Sequence, residues 1–400
     1  MLLPAGELLA QNSDLLRLKG RRIAIPFELE NNFIVINTTL NGRYRLKFIV
    51  DTGAENTILL DKELTDELEV DYQRKFSVIG SDRQQVLVAY LATGIDLQLE
   101  ESVIARHRAM LVLEENYANL DEHVGMPIHG ILGADFLSRF VLEIDYRRHQ
   151  LYLHEPRGYQ PRTKFLPVPS EFIRHRAYLY LPINFTSQEA SNRKVLLDSG
   201  AGITLLLHTF GDTTVTEDLP VPTLPSTLAQ GISGEVNGNV GRASSLSLGT
   251  QVLEDVITYF QPVDTTKLNY LSGRQGIIGN KILRRFTVVI DYPRQEVYVR
   301  PDGRQIRRRF KYDRSGLSIT AGGDRLRQFY VARIIPGSPA EEAGLQIGDR
   351  IAAVNNTSVT FMTLGGILNR LRGKVGRQIK LKYVRDGQYY RTNLRLRELI

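Results

Sequence analysis

An internal repeat within residues 1–300 is the feature that most constrains the fold. FIVDTGAENTILL at 48–60 aligns with VLLDSGAGITLLL at 195–207, and GILGADFLSRFVLEIDY at 130–146 aligns with GIIGNKILRRFTVVIDY at 276–292. The second pair is identical at 9 of 17 positions, and the two pairs are offset by 147 and 146 residues. Two landmarks that keep their spacing indicate one duplicated fold of about 125 residues.

Each copy is predicted to be rich in β-strands. Asn41-Gly42, between apolar segments, is typical of a type I′ hairpin. Gly80 and Gly94 are predicted to break strands, and the proline-rich segment 217–230 is predicted to be a loop. Helices are predicted only over short stretches, at 61–69 and in ADFLSRF and NKILRRF.

The repeated carboxylates are the candidate catalytic groups. Asp51 follows the apolar run Phe-Ile-Val, and Asp198 follows Val-Leu-Leu at the same place in the second copy. A carboxylate at the end of a buried strand needs a partner, and the two copies can supply one to each other. Two carboxyl groups a few ångströms apart share a proton, which leaves one base and one acid beside a single water. This pair is suited to adding water to an amide.

The residues that follow each aspartate are predicted to support it. The hydroxyls of Thr52 and Ser199 can hydrogen-bond across the interface between the copies, and Gly53 and Gly200 allow backbone N–H groups to approach the carboxylates.

These motifs resemble the active-site and ψ-loop signatures of aspartic proteases, and most of all the retropepsin-like branch. Asp-Thr-Gly-Ala and Asp-Ser-Gly-Ala are each followed downstream by an apolar pair and glycine, ending at Gly133 and Gly279. The resemblance covers 30–302 and implies Asp51 and Asp198 as the catalytic dyad. Because one chain carries both copies, it implies a fused, pepsin-like pseudo-dimer that requires no second chain, metal or organic cofactor. The oligomeric state stays open.

The resemblance also implies a hairpin flap over the cleft. The candidates lie in Ile-Gly-Ser-Asp at 79–82 and Gly-Ile-Ser-Gly at 231–234, and the residues are Gly80, Ser81, Gly231 and Ser233.

Two positions depart from the pepsin-like pattern. Ala54 and Ala201 stand where those enzymes usually carry a hydroxyl that stabilises the charged carboxylate. The loss of this donor predicts raised pKa values for the dyad and a pH optimum of about 5 to 7. Asp135 is replaced by Lys281 in the second copy, and both are predicted to lie on the surface.

The last hundred residues resemble a bacterial-type PDZ domain over 306–398. GSPAEEAGLQIGD is the most specific stretch, with Ser338 as a helix N-cap. The family implies peptide binding by strand addition beside the helix at 364–371, with a carboxylate-binding loop. That loop includes Gly316, Leu317, Ser318 and Ile319. Ser318 departs from the usual glycine, which weakens the expected preference for a terminal carboxylate. A scaffold without ligand is the alternative.

The predicted fold is therefore mainly β. It comprises two pseudo-symmetric retropepsin-like β-barrel lobes at 30–156 and 157–302 and an α+β PDZ domain at 303–400. Residues 1–29 form an N-terminal arm or prosegment: an inhibitory segment, a strand-supplying arm and a signal remnant all stay open. Charge changes at the last boundary, from −5 over 1–300 to +12 over 301–400. The basic cluster at 304–311 fits a solvated linker, or an anionic partner such as a membrane or nucleic acid, although no nucleic-acid motif accompanies it.

The composition of the chain argues against several kinds of functional site. The chain has no cysteine, and its seven histidines show no metal-ligand spacing, so a metal site is not expected. Gly200-Ala201-Gly202 lacks the third glycine of a nucleotide-binding loop. No stretch reaches the roughly 18 apolar residues of a membrane span. The compartment stays open: periplasmic or exported if a signal was trimmed, otherwise cytoplasmic.

Two functions remain. The leading interpretation is an endopeptidase acting on a polypeptide substrate, with the PDZ domain recruiting a peptide or a C-terminal tail, or regulating access. The alternative is a pseudoprotease or adaptor that binds peptides in both places without turnover.

Overall fold

The computed structural model describes most of the chain. The described residues are 16–18, 20–68, 70–79, 86–100, 103–117, 119–185, 190–210, 223–231, 234–263 and 272–400.

β-Strands dominate these residues. In chain order the strands are β1 Leu16–Leu18, β2 Arg22–Pro26, β3 Glu28–Glu30, β4 Phe33–Leu40, β5 Tyr44–Val50, β6 Ile58–Leu59, β7 Asp71–Ile79, β8 Val86–Leu99, β9 Val103–Leu113, β10 Gly130–Leu132, β11 Val141–Asp145, β12 Gln150–His154, β13 Leu166–Val168, β14 Ser170–Ile173, β15 Arg176–Asn184, β16 Ser191–Leu197, β17 Leu205–Phe210, β18 Leu224–Gly231, β19 Gly234–Leu248, β20 Gln251–Val263, β21 Gly276–Ile278, β22 Phe286–Asp291, β23 Glu296–Pro301, β24 Leu317–Gly322, β25 Gln328–Ile334, β26 Arg350–Val354, β27 Thr357–Ser358, β28 Gln378–Arg385 and β29 Gln388–Arg395.

The helices are short. They are α1 Glu63–Asp66, α2 Leu120–Val124, α3 Ala134–Leu137, α4 Asn280–Leu283, α5 Gly303–Ile306, α6 Pro339–Glu342 and α7 Leu364–Leu371, with a 3₁₀ turn at Val359–Phe361.

The first lobe is one sheet in the order β1-β9-β6-β10-β5-β4-β8-β7, with β3 added to β4. The β4–β5 hairpin turns at Asn41 and Gly42, which have φ values of 48° and 67°. The N–H of Arg43 donates to the carbonyl of Leu40 over 3.0 Å. Positive φ at both central residues defines a type I′ turn, so this prediction is confirmed.

The second lobe repeats this arrangement. Its sheet has the order β14-β15-β16-β21-β17-β20-β19-β18. In the first lobe β5 runs parallel to β10, with Ile49 opposite Ile131, and in the second β16 runs parallel to β21, with Leu196 opposite Ile277. The duplicated sequence thus forms a duplicated pair of parallel strands, and each aspartate follows the first strand of its pair.

A six-stranded sheet joins the lobes, in the order β13-β23-β22-β11-β12-β2. Strands β11 and β22 from the repeated VLEID and TVVID segments pair antiparallel at its centre. Strand β2 lies at one edge, pairs with β12 and buries Ile25, while β1 pairs with β9 in the first lobe. The described part of segment 1–29 therefore supplies strands, one of the roles that the sequence left open.

The C-terminal residues form a separate sheet in the order β24-β25-β26-β28-β29, with β27 on β26. Its own apolar core includes Phe329, Ile351, Ile367 and Leu381. The N-cap prediction is confirmed, because the Ser338 hydroxyl accepts a hydrogen bond from the N–H of Glu341.

Three predictions of secondary structure were wrong in detail. Segment 217–230 is not loop throughout, because β18 begins at Leu224; its pairing with β19 outweighs the turn tendency of Pro225. Gly94 does not end a strand: with φ 78° it forms a bulge inside β8, where the register shifts. The helix predicted at 61–69 spans only Glu63–Asp66.

Asp135 and Lys281 were both predicted to lie on the surface. The Asp135 side chain is only 13% exposed and accepts a hydrogen bond from the Thr57 hydroxyl at 2.7 Å. Lys281 is half-buried, and burial and the nearby Arg372 and Arg284 lower its pKa to about 7. Both residues lie in the short helices that follow Gly133 and Gly279, and most residues of these helices are buried.

Across the described residues, no helix has both the length and the apolar character needed to cross a bilayer.

The edge strand β2 generates a stability prediction. Ile25 is 1% exposed and packs in the main core, so Ile25→Ala is expected to lower the free energy of unfolding by about 2–5 kcal/mol. Val252→Ala, at a residue 59% exposed, is the control and is expected to change it by less than about 0.5 kcal/mol. Urea unfolding measures both, and equal effects would contradict the role of β2.

Candidate active site

Two equivalent loops bring the aspartates together. Asp51 follows β5, and its N–H donates to the carbonyl of Leu132 at 3.0 Å. Asp198 follows β16, and its N–H donates to the carbonyl of Ile278 at 3.1 Å. Each loop is therefore fixed to the end of the neighbouring parallel strand of its own lobe.

The two carboxyl groups hydrogen-bond to each other, and both side chains are only partly exposed. The Asp51 Oδ1 atom also accepts hydrogen bonds from the N–H groups of Gly53 at 2.8 Å and Ala54 at 2.9 Å. The Asp198 Oδ1 atom accepts one from the N–H of Gly200 at 2.8 Å. Asp51 thus has one more backbone donor, and a charged carboxylate is favoured where more donors point at it.

The residues that follow the two aspartates form hydrogen bonds between the lobes. The Thr52 hydroxyl donates to the carbonyl of Leu197 at 2.8 Å, and the Ser199 hydroxyl donates to the carbonyl of Val50 at 2.7 Å. Each hydroxyl also accepts the backbone N–H of the other residue, both at 3.0 Å. Both residues are buried, so these four bonds lock the two loops in a near-symmetric position.

The glycines allow this close approach. A Cβ atom on Gly53 would lie 2.7 Å from Cγ of Asp198, and one on Gly200 would overlap the Asp51 carboxyl group. At the ψ-loops, a Cβ atom on Gly133 would lie 2.5 Å from the carbonyl carbon of Asn56, and one on Gly279 would lie 2.6 Å from the carbonyl oxygen of Ala201. A side chain at any of these positions would push the loops of Asp51 and Asp198 out of place.

The electrostatics separate the two carboxyl groups. Burial, followed by the charge of Asp51 and the hydrogen bond to it, raises the pKa of Asp198 well above its usual range. Burial also raises the pKa of Asp51, but the N–H groups of Gly53 and Ala54 and the hydrogen bond from Asp198 oppose this. The additional backbone donor at Asp51 and these directions both favour the charge on Asp51 and the shared proton on Asp198. The upward direction is the one expected from the missing hydroxyls, although burial is the main cause.

Sequence reasoning missed Asn280, which ties the second loop to both lobes. This buried side chain donates from Nδ2 to the carbonyls of Ser199 at 2.5 Å and Asn32 at 2.8 Å. Its Oδ1 atom accepts the Tyr146 hydroxyl at 2.6 Å. The signal was present in the alignment of the copies, where Asn280 stands opposite Ala134.

This difference breaks the symmetry of the two lobes. Tyr146 and Tyr292 occupy equivalent places in the repeat, after β11 and β22. The Tyr292 hydroxyl is buried and finds no hydrogen-bond partner among the described residues, because Ala134 stands where Asn280 serves Tyr146. The charge of Asp51 contributes to the raised pKa of Tyr292, after burial. The loop of Asp198 is therefore held by contacts that the loop of Asp51 lacks.

The sequence did not predict the contribution of two arginines near the aspartates. Arg176 forms an ion pair with Glu55 at 2.6 Å across the lobes, and its positive charge opposes the rise in the pKa of Asp51. The charge of Arg274 likewise opposes the rise in the pKa of Asp198. Both effects are smaller than burial.

The candidate flap residues Gly80, Ser81 and Ser233 lie outside the described residues. Gly231 is the last residue of β18 and pairs with Gly234. Both flap segments connect paired strands, since β7 pairs with β8 up to Ile79 and Val86.

The predicted loop of the C-terminal domain uses its own polar groups. The N–H of Gly316 donates to Oδ2 of Asp313 at 2.5 Å, and the N–H of Leu317 donates to the Ser315 hydroxyl at 3.1 Å. Ser318 and Ile319 follow in β24 and are exposed and half-buried. The Asp313 carboxyl group already accepts a hydrogen bond from the loop, so the carboxylate of a ligand would compete with it for the same N–H donor.

No cluster of three or more His, Asp or Glu side chains with the geometry of a metal site occurs in the described parts of the chain.

The raised pKa of Asp198 predicts a pH-dependent effect on stability. The folded chain binds this proton more tightly than the unfolded chain, whose aspartates have pKa values of about 3.9, so stability falls as pH rises from that value through the folded pKa. Asp198→Asn removes this loss. It is expected to raise Tm at pH 8 by about 2–4 °C relative to wild type, and to have little effect at pH 4. The control is the exposed Asp324→Asn; equal shifts at both pH values would contradict the assignment.

The Asn280 contacts predict a large loss of stability on truncation. Asn280→Ala removes the partner of the buried Tyr146 hydroxyl, of the buried Ser199 carbonyl and of the half-buried Asn32 carbonyl, so the free energy of unfolding is expected to fall by about 2–4 kcal/mol. In a double-mutant cycle with Tyr146→Phe, chemical denaturation is expected to give a coupling energy above about 0.5 kcal/mol. Additive effects would show that the two side chains act separately. The exposed Asn192→Ala is the control.

Comparison with known proteins supports the same two units. A family model described as aspartyl protease matches residues 36–136, a range that includes Asp51, and one described as PDZ domain matches residues 330–385. Mouse whirlin is 33% identical over 88 residues, which cover 20% of this chain and 10% of whirlin. Human Tax1-binding protein 3 is 41% identical over 58 residues, which cover 14% of this chain and 47% of that protein.

The chain thus spans about a tenth and about half of the lengths of these curated relatives. The expected fold class is confirmed: the protein is mainly β, with two β-barrel lobes and a C-terminal PDZ domain. The PDZ domain indicates peptide binding. The chain therefore combines an aspartyl protease domain with retropepsin-like barrels and a C-terminal PDZ domain.

Proposed function

We propose that the protein is an aspartic endopeptidase in which Asp51 and Asp198 activate one water to hydrolyse internal peptide bonds. The observation that carries the proposal is the hydrogen-bonded pair of carboxyl groups at the pseudo-twofold axis, one from each lobe. Two groups whose surroundings push their pKa values apart are suited to act as an acid and a base.

The proton positions assign the roles. Asp51, which accepts two backbone N–H bonds and carries the charge, removes a proton from the water, whose oxygen forms a bond to the carbonyl carbon. Asp198 donates its proton to the carbonyl oxygen, which gives a neutral tetrahedral diol. Asp51 then returns its proton to the leaving nitrogen, and Asp198 recovers a proton from one hydroxyl as the C–N bond breaks. The products are a carboxylic acid and an amine, and the dyad ends as it began.

The cross-lobe bonds of Thr52 and Ser199 support this mechanism because they fix the distance between the acid and the base. Preorganised geometry of this kind removes the need to bring two groups together during the reaction. Both aspartates come from one chain, so the mechanism requires no second copy. We also propose that the two lobes span residues 30–156 and 157–302 and that the PDZ domain spans 303–400. In this proposal the PDZ domain recruits polypeptide substrates.

Loss of either carboxyl group is expected to abolish turnover. Purified protein is incubated with denatured β-casein from pH 3 to 8, and mass spectrometry measures the fragments. Asp51→Asn and Asp198→Asn are each expected to lower the rate by about 10²–10⁴-fold, because each removes an acid–base group, whereas Asp324→Asn is expected to leave it unchanged. Casein that binds the wild type but stays intact at every pH would identify a peptide-binding pseudoprotease instead.

The rate is expected to peak at about pH 5 to 7, since the active form carries one proton on the pair and both pKa values are raised. A maximum at strongly acid pH would contradict this expectation.

A further inference from the structure

The peptide groove of the PDZ domain lies between β24 and α7. Strand β24 is the end strand of its sheet and pairs only with β25 among the described strands. Its outer edge is the edge on which an extended peptide adds as a further strand. The opposite wall is α7, whose first residue, Leu364, is buried.

One short segment of the first lobe contacts both walls of this groove. Helix α2 packs against β24, and the Thr320 hydroxyl donates to the backbone carbonyl of Glu122 at 3.3 Å. At the end of the same helix, Gly125 lies against Leu364: a Cβ atom on Gly125 would lie 2.9 Å from Cβ of Leu364. One segment of the first lobe therefore contacts both elements between which an added peptide strand would lie.

Gly125 permits this fit in two ways. It ends α2 with a φ value of 86°, which favours glycine, and its missing side chain leaves room for Leu364. Glu30 of the first lobe lies beside Gly365 at the beginning of α7, where the amide groups of a helix favour a negative charge. Glu30 thus faces the C-terminal part of the chain, which carries a net charge of +12 over residues 301–400.

The same segment is connected to the catalytic loop. The Asn31 side chain donates to the carbonyl of His123 in α2 at 2.8 Å. The neighbouring Asn32 carbonyl accepts the hydrogen bond from Asn280, whose Nδ2 also donates to Ser199. The turn at Asn31 and Asn32 therefore contacts α2 and also supports the loop of Asp198.

We propose that α2 and Gly125 are an intramolecular occupant of the PDZ groove, so that docking of the first lobe and binding of a peptide there exclude each other. The inference rests on the peptide-binding role of the PDZ domain. The apparent dissociation constant of a peptide equals its intrinsic value divided by the fraction of molecules with an open groove. Variants that weaken the docking of α2 therefore tighten peptide binding without changing the groove.

A cysteine pair tests the contact directly, because the chain contains no other cysteine. In Gly125→Cys with Leu364→Cys, the Cβ atoms lie close to the separation of about 3.5–4.5 Å that a disulfide needs. Oxidation of dilute protein is expected to give an intramolecular crosslink, and the oxidised form is expected to bind an array of random decapeptides at least about tenfold more weakly than the reduced form. Gly158→Cys with Leu364→Cys is the control and is expected to form no intramolecular crosslink.

A second pair of variants avoids changes in the PDZ core. Gly125→Ala and Gly158→Ala place alanine at φ values of 86° and 74°, so they carry a similar backbone strain. Only the first meets a neighbour, since nothing lies within 4 Å of a Cβ atom on Gly158. Gly125→Ala is expected to increase binding to the decapeptide array by about threefold or more, and Gly158→Ala is expected to match the wild type.

The outcomes separate this inference from the proposed function. A missing crosslink, or equal binding by oxidised and reduced protein, would overturn the competition while leaving peptide binding intact. Absence of binding by the reduced protein would overturn the competition together with the peptide-binding role. Casein cleavage, measured in parallel, reports separately on the protease.

Discussion

The rest of the structure depends on holding two acidic side chains against each other at the boundary of two lobes. A pair of partly buried carboxyl groups repels itself when both are charged, and it persists only where backbone donors and a shared proton stabilise it. The four bonds formed by Thr52 and Ser199 meet this need, because each lobe donates to the other's backbone immediately beside its own aspartate. The central sheet in which β11 pairs with β22 keeps the lobes in register for these bonds.

The duplication is nevertheless not symmetric in its details. Asn280 links Ser199 to Asn32 and Tyr146, whereas Ala134 offers nothing equivalent to Tyr292. Asp51 in turn accepts one more backbone hydrogen bond than Asp198. In a fused chain the equivalent positions of the two copies are separate residues, so one copy can be substituted without changing the other. The two carboxyl groups therefore have different surroundings, which favour the proton on Asp198.

Much of the site could be predicted from the sequence because its determinants are local and duplicated. An apolar strand that ends at Asp-Thr-Gly or Asp-Ser-Gly, with a second strand some 80 residues later, places each aspartate, and the Asn41-Gly42 turn follows from its own residue types. The contacts of Asn280 were not predictable, because its partner Asn32 is 248 residues away in the chain. The contact of Gly125 with Leu364 likewise depends on how two units pack. Strand β18 was missed because pairing with β19 overrides the local effect of Pro225.

The most direct test of a single-chain dyad is titration with a non-hydrolysable peptide whose scissile amide is replaced by a hydroxyl-bearing tetrahedral carbon. Calorimetry measures its stoichiometry and affinity, since such an isostere resembles the diol formed between the two carboxyl groups. A single-chain dyad predicts one molecule bound per chain, and a loss of affinity of about 10²-fold or more in both Asp51→Asn and Asp198→Asn. One molecule bound per two chains, or affinity that survives either substitution, would contradict it.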